Sequence, residues 1–531
     1  MASASVSPAY AALESGETAP DASPRRGGDA PPTERAWRCA CDALVGLGAR
    51  ALEAAPPERS HETALPLALA CAHLAAHAAT TFDEGLAQGV GALLGSLPTA
   101  SDDAAACDAA RGWIAWMRGE PFADDTLARA ERVARAAGRP TLLVQLGALR
   151  AALLDAAGDG DAMLPTARRV SRMARAEGVA RAECLAHLVL ARARRRAGHP
   201  HLAIRILAAL ATVTPPELEG WLHLERQLAG DVGAEASASA DPASLAAARL
   251  TDALSSARAG RREELARSLD RMHEAARGVL PIASELSELA AALDSTRTPP
   301  PALAGWARGD DALAPPAVRG LAVRAIDESD DVGEAAVLVR PGERGRRLLG
   351  LAAAIALAEG DVRLHRRSRM RQGRIETLLA VLACAGPEGL DEALVFERTY
   401  ELAYHPPIHR GVLDVLITRT RAALDGHGDV VRRTSRLALT LEGPALFPDP
   451  RCSARTHDRL LRALARAGRA SADDVARELG VSVRSAQDAL KTLAAEGACI
   501  ADREGRQLVY AVEDTTFSEA TAQLARRRSP R

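Results

Sequence analysis

The chain has 531 residues, 47% of them hydrophobic and only 3% aromatic, with 67 Lys+Arg against 69 Asp+Glu and a formal net charge of -2. That length allows about three or four domains, and a bias toward Ala, Leu and Arg favours helices packed through small aliphatic side chains. A near-neutral balance excludes a whole-molecule field drawing the protein to nucleic acid. The charge is nevertheless uneven, since positions 361–531 hold 28 Lys+Arg against 23 Asp+Glu, leaving the acidic excess upstream. The 8 cysteines are scattered without a CxxC pair, a pattern that fits free thiols in a reducing cytosol better than a disulfide framework. No secretory pattern opens the chain, and no run approaches the roughly 20 apolar residues of a membrane span, the longest lying near 350–358. The expectation is a cytoplasmic, nucleoid-associated protein with no membrane contact.

Residues 1–33, rich in Ala, Ser, Pro, Gly and Asp, read as a disordered tail. From 34 to 295 the pattern is helix after helix. Helix-length segments at 126–137, 142–157, 165–177 and 182–197 stop at Gly138, Gly158, Gly178 and Gly198, and alternate stops fall at a constant spacing. Self-similarity of this kind points to an array of helical hairpins. One unit resembles a tetratricopeptide repeat, through Leu190, Ala191, Gly198, Ala203, Leu207 and Pro215. The resemblance implies an α-solenoid that offers a concave surface to a protein or peptide partner; the alternative is a closed helical bundle. Within this region Cys71, His73 and His77, with His61, make the sharpest metal pattern, read as incidental because the spacing supplies no defined third ligand.

Residues 296–330 form a Pro-rich connector in which Trp306 anchors a short helix. Beyond it, strand-like runs at 335–340, 346–351, 354–358 and 361–365 precede helices expected at 374–385, 390–400 and 409–424 and a hairpin at 430–441. The stretch HRGVLDVLITRTRAAL, with Asp414, Val415, Arg419, Arg421 and Leu424, resembles the recognition helix of OmpR-type winged-helix output domains. That resemblance covers residues 331–445. It implies that Arg410, Thr418, Arg419 and Arg421 face DNA, with Arg432, Arg433 and Arg436 on the hairpin. Two departures stand out: Leu416 occupies a usually polar position, and the hairpin lacks turn glycines.

Residues 454–514 carry the most compact pattern. A helix with Leu460, Leu461 and Leu464 is followed by a second behind Ser471 with Val475 and Leu479 inward, and Gly480 breaks it. Ser482 caps a third whose apolar stripe is Val483, Ala486, Leu490 and Leu493 and whose opposite stripe is Arg484, Gln487, Asp488 and Lys491, with Ser485 at its edge. Arg and Gln reach base edges bidentately in a major groove. Two alternating runs then flank a turn bearing Arg503, Gly505 and Arg506. Helix, helix, helix and wing is a DNA-docking order, and the unit resembles the winged helix-turn-helix domains of bacterial transcriptional regulators. The resemblance puts Ser482, Arg484, Ser485, Gln487, Asp488 and Lys491 in the groove, and Arg503 and Arg506 on phosphate. Residues 515–531 read as a disordered basic tail.

No phosphate loop exists, because the only lysine is Lys491. The chain is therefore expected to be mainly α, a TPR-like α-solenoid followed by two winged-helix domains. It reads as a non-enzymatic regulator without cofactor or metal, acting on double-stranded DNA, with homodimerisation left open. The competing reading is a protein-interaction scaffold that uses winged helices for assembly without DNA.

Overall fold

The computed structural model describes residues 7–14, 30–98, 104–231, 241–310, 335–349, 363–364, 373–452, 456–467, 469–496, 498–505, 507–512 and 517–528. The chain is mainly helical, with small sheets toward its C-terminal end. It divides into two units, one formed by residues 1–248, 272–284 and 460–531, the other by residues 249–271 and 285–459.

The first unit opens with α1 (Pro8–Glu14), α2 (Pro32–Leu44), α3 (Gly48–Ala54), α4 (His61–Thr81), α5 (Glu84–Gly95) and α6 (Ala104–Arg118). The expectation of a structureless stretch over 1–33 fails at α1. Tyr10 is 1% exposed, packs on Trp37 and hydrogen-bonds the His73 ring at 2.6 Å. Local composition hid this helix because its stabilising contacts are tertiary. The reading that no segment approaches a membrane span needs correction as well, since α4 has the length and mean hydropathy (1.3) of one. Here 94% of that apolar window is buried, against α2, α5, α6, α8 and α12.

Four helices follow, α7 (Asp124–Ala136), α8 (Pro140–Ala156), α9 (Gly160–Glu177) and α10 (Ala180–Arg196), then α11 (Pro200–Leu210) and α12 (Pro216–Leu228). The expected stops hold: Gly138, Gly158, Gly178 and Gly198 all take positive φ, backbone that L side chains resist. Helices α7, α8 and α10 start two residues early, whereas α9 starts five residues before the expected Pro165. Asp159 caps it, accepting from the Ala162 amide at 3.0 Å, so Pro165 lies inside the helix instead of opening it. Buried charge ties α8, α10 and α12 together. Arg192 donates to Asp155 at 2.8 Å and to Glu225 at 2.9 Å, and Arg195 meets Glu225 at 2.7 Å. Both arginines are at most 3% exposed at the side chain, so loss of one partner strands a charge in the interior.

The chain continues through α13 (Pro242–Arg258), α14 (Arg262–Ala275), α15 (Leu280–Leu293) and α16 (Pro301–Ala307). The second unit then forms β1 (Ala335–Val339), β2 (Arg346–Leu349), β3 (Arg363–Leu364), α17 (Arg374–Ala385), β4 (Leu390–Asp391), α18 (Glu392–Tyr400), α19 (Pro406–Leu424), β5 (Gly428–Arg433), β6 (Arg436–Leu441) and β7 (Ala445–Pro448). One sheet has the order β2-β1-β7-β3, with β3 parallel to β7, and a second has the order β4-β6-β5. The strand expected at 354–358 lies outside the described residues. Val337, Leu378, Phe396, Leu413, Ile417, Leu437 and Phe447 share one core.

The segment read as a connector belongs to this unit in its described part. Trp306 is 1% exposed, and Arg347 donates to its carbonyl at 2.9 Å with the guanidinium 5.6 Å from the indole centroid. Arg347 also pairs with Asp449 at 2.5 Å, both side chains 0% exposed. Burial alone raises the Asp449 carboxyl, but Arg347 and Arg451 overcome it and hold the pKa near 2.

The chain returns to the first unit with α20 (Thr456–Ala467), β8 (Arg469–Ser471), α21 (Ala472–Leu479), α22 (Val483–Ala495), β9 (Cys499–Glu504), β10 (Gln507–Val512) and α23 (Glu519–Arg528). Its three strands run β8-β10-β9. Leu460, Leu461, Leu464, Val475, Ala486, Leu490, Leu493 and Tyr510 are the core. Helix α23 overturns the expectation of a structureless tail over 515–531.

Candidate nucleic-acid interface

Local chemistry sets α21 and α22 at a fixed turn. Ser471 and Asp474 form a reciprocal capping box, and Gly480 ends α21 at φ +64°. Ser482 then caps α22, its hydroxyl accepting from the Ser485 amide at 3.1 Å. The helix splits into two faces. Ala486, Ala489, Leu490 and Leu493 are buried, while Arg484, Ser485, Gln487, Asp488 and Lys491 are exposed together on the other side. Val483, expected inward, is the first residue of the helix, is 41% exposed and joins the outer face, while Ala489 is buried. The hydroxyls of Ser482 and Ser485 lie 2.7 Å apart, so both are occupied in the cap.

The hairpin pairs Glu504 with Gln507 around Gly505 at φ +63°. Arg503 is exposed on β9, and Arg506 lies outside the described residues. Arg469 on β8 escaped notice in the sequence. It bonds Glu504 at 2.6 Å and Asp502 at 3.1 Å, which neutralises acidic charge beside Arg503. The alternation of Asp502, Arg503 and Glu504 placed both acids on one strand face, and that was the available signal.

The same element order in residues 374–441 carries different chemistry. Arg421 donates to Asp429 at 2.8 Å and to the Val430 carbonyl at 2.5 Å. Arg432 meets Glu392 at 2.5 Å and Asp414 at 2.6 Å, and Arg436 donates to the Gly389 carbonyl at 2.7 Å. These three hold α19, α18 and the hairpin together instead of standing free for phosphate. Thr418 turns its hydroxyl onto the Asp414 carbonyl at 3.0 Å. Arg410, Arg419 and Arg433 remain exposed, without an ion pair among the described residues. Leu416, the apolar residue expected on the outer face, is 5% exposed and part of the core. The outer face carries apolar residues all the same, with Ile408 71%, Val412 45% and Val415 52% exposed. The missing turn glycine is replaced by Thr434 at φ +57°.

The terminal segment is gripped from behind. Arg168 donates to the Glu496 carbonyl at 3.0 Å, and Leu202 enters the core of this segment. Beyond the hairpin, the Glu183 carboxylate on α10 accepts the Ser518 amide at 3.0 Å and the hydroxyls of Ser518 and Thr521. It thereby caps the N-terminus of α23, where an anion is favoured. Phe517 meets the His187 ring edge-on at 5.1 Å. None of these residues covers the outer face of α22.

In the Cys71, His73 and His77 pattern, both ring nitrogens of His73 are engaged, by Tyr10 and by Gln145 at 2.9 Å, while His77 Nδ1 is buried without a hydrogen-bond partner among the described residues. All eight cysteines are free. No family model matches the chain, and no curated protein matches it.

Proposed function

We propose that the chain is a non-enzymatic, sequence-specific DNA-binding transcriptional regulator of the cytoplasm. In this reading residues 456–512 are a winged helix-turn-helix unit, and α7–α12 are tetratricopeptide-like hairpins that receive a partner's signal. One observation carries it: Arg484, Gln487, Asp488 and Lys491 share one exposed face of α22 while the opposite face is buried. Arg and Gln on such a helix recognise guanine and adenine edges. Arg503 supplies a phosphate contact on the wing, and the grip of Arg168, Leu202 and Glu183 links reader to array. The test is to incubate the full chain with sheared genomic DNA and sequence what it retains. Enrichment of a short motif, with log affinity falling linearly in log salt, is expected; uniform recovery or no binding at low salt contradicts the reading.

A second reading applies to residues 374–441 alone. There Ile408, Val412 and Val415 are exposed on the helix that matches the OmpR-type recognition helix, and Arg421, Arg432 and Arg436 are tied to protein acceptors. Both observations favour a protein-contact role for this copy, as in the scaffold alternative. Replacing Ile408, Val412 and Val415 with Ser then leaves DNA affinity unchanged and lowers association with protein partners.

A further inference from the structure

A cavity of about 50 Å³, partly open to solvent, lies among α2, α4, α8, α10 and α12. It is too small for a whole organic ligand of ordinary size and larger than one water needs. Its walls mix apolar side chains with a polar set that is incompletely partnered. Glu217 pairs with Arg181 through Oε1, while its Oε2 is buried without a hydrogen-bond partner among the described residues. Its side chain is 10% exposed. Gln145, 6% exposed, and His77 add two more buried atoms of this kind, Oε1 and Nδ1.

The protons can be placed. Burial holds the His73 pKa near 4, so its ring is neutral and carries one proton. The Gln145 Nε2 amide can only donate, so His73 Nδ1 accepts from it at 2.9 Å and the ring proton sits on Nε2, which donates to the Tyr10 oxygen 2.6 Å away. Gln145 Oε1 is left as an acceptor. Burial also lowers the His77 pKa, and its Nδ1, buried without a hydrogen-bond partner among the described residues, is an acceptor when the ring proton is on Nε2. These three atoms, one of them on a carboxylate, belong to residues that line one cavity, together with the Thr141 hydroxyl, which is likewise buried without a hydrogen-bond partner among the described residues. A buried polar group left unpaired in this way costs about 1–3 kcal/mol.

We propose that this cavity is a binding site for a primary ammonium group, whose three N–H donors and positive charge complement Glu217, Gln145 and His77. Leu44, Leu185 and Leu218 at the walls suit the first methylenes of such a ligand. The ligand is either a small amine or the N-terminus of a peptide. The site stands independently of whether α22 binds DNA.

The test is thermal unfolding of the full chain at fixed ionic strength with four probes: ethylammonium, its N,N,N-trimethyl derivative, triglycine and N-acetyl-triglycine. A saturable rise in Tm is expected with a free-amine probe and absent with its blocked counterpart. Ethylammonium alone acting identifies a small amine, and triglycine acting identifies a peptide end. Glu217→Gln keeps the shape and is expected to weaken the effective probe at least tenfold, with the helical circular dichroism unchanged. If that variant does not fold, the free and blocked probes on the wild-type chain decide alone. No saturable rise with either free amine, or an equal rise with the blocked forms, overturns the proposal.

Discussion

Residues 374–441 and residues 456–512 share an order of helices ending in a hairpin, yet their outer faces differ in kind. In the later segment the polar stripe of α22 is exposed and, among the described residues, faces no acidic partner on a neighbouring element. In the earlier one, Arg421, Arg432 and Arg436 are bound to Asp429, Glu392, Asp414 and backbone carbonyls, and Ile408, Val412 and Val415 are exposed beside Arg410 and Arg419. An arginine in a recognition-helix position is thus not by itself a DNA contact. What decides is whether the folded chain has already supplied it with an acceptor.

The comparison breaks most visibly through stability. Arg347→Ala removes one of the two arginine partners of the buried Asp449, with Arg451 remaining at 2.7 Å, and a loss of at most about 3–5 kcal/mol is expected by denaturant unfolding. The same pair sets a pH response. Because the Asp449 pKa is depressed from 3.8 to about 2, its contribution is complete above pH 4 and disappears as pH falls through 2. Unfolding midpoints measured across that window check the sign, and Asp449→Asn removes the dependence. Next in size, Glu183→Ala strips the acceptor from Ser518 and Thr521, with an expected cost of about 1–3 kcal/mol. Faster proteolytic cleavage around α23 reports it. Arg432→Ala, at a side chain 30% exposed, is expected to lower stability by about 1 kcal/mol and to leave DNA affinity unchanged. A drop in affinity without loss of stability would return that residue to the reading surface. Smallest is Thr434→Gly, which relieves a β-branched residue at φ +57° and raises the unfolding midpoint by the equivalent of at most about 1 kcal/mol.

Much of this was legible in the sequence where the signal is local. Helix α17 runs Arg374–Ala385 as expected, because its apolar run lies between Gly373 and Gly386. Ser471, Gly480 and Ser482 marked the limits of α21 and α22 by capping chemistry alone. What escaped depends on partners distant in the chain. Tyr10 orders α1 only by reaching His73, and Ser518 starts α23 on a carboxylate 335 positions away. The Ser518-Glu519 pair before an Ala-rich run was a cap signal, obscured by the basic residues after it. The occupied arginines were invisible for the same reason, since Glu392 and Asp414 meet Arg432 only after the hairpin folds back. For α4 the error was of another kind. Its apolar run is interrupted by Thr and His, so counting unbroken residues missed a helix that averaging over its length finds.

If the later segment, and not the earlier one, reads DNA, two triple variants of the full chain must behave differently on one retained duplex. The first combines Arg484→Ala, Gln487→Ala and Lys491→Ala; the second combines Arg410→Ala, Arg419→Ala and Arg433→Ala. In a titration, the first is expected to weaken binding by about 1–3 kcal/mol for each base-reading side chain truncated and to abolish discrimination between duplexes, while the second leaves discrimination intact. Wild-type affinity in the first variant, or a loss of discrimination confined to the second, contradicts this assignment.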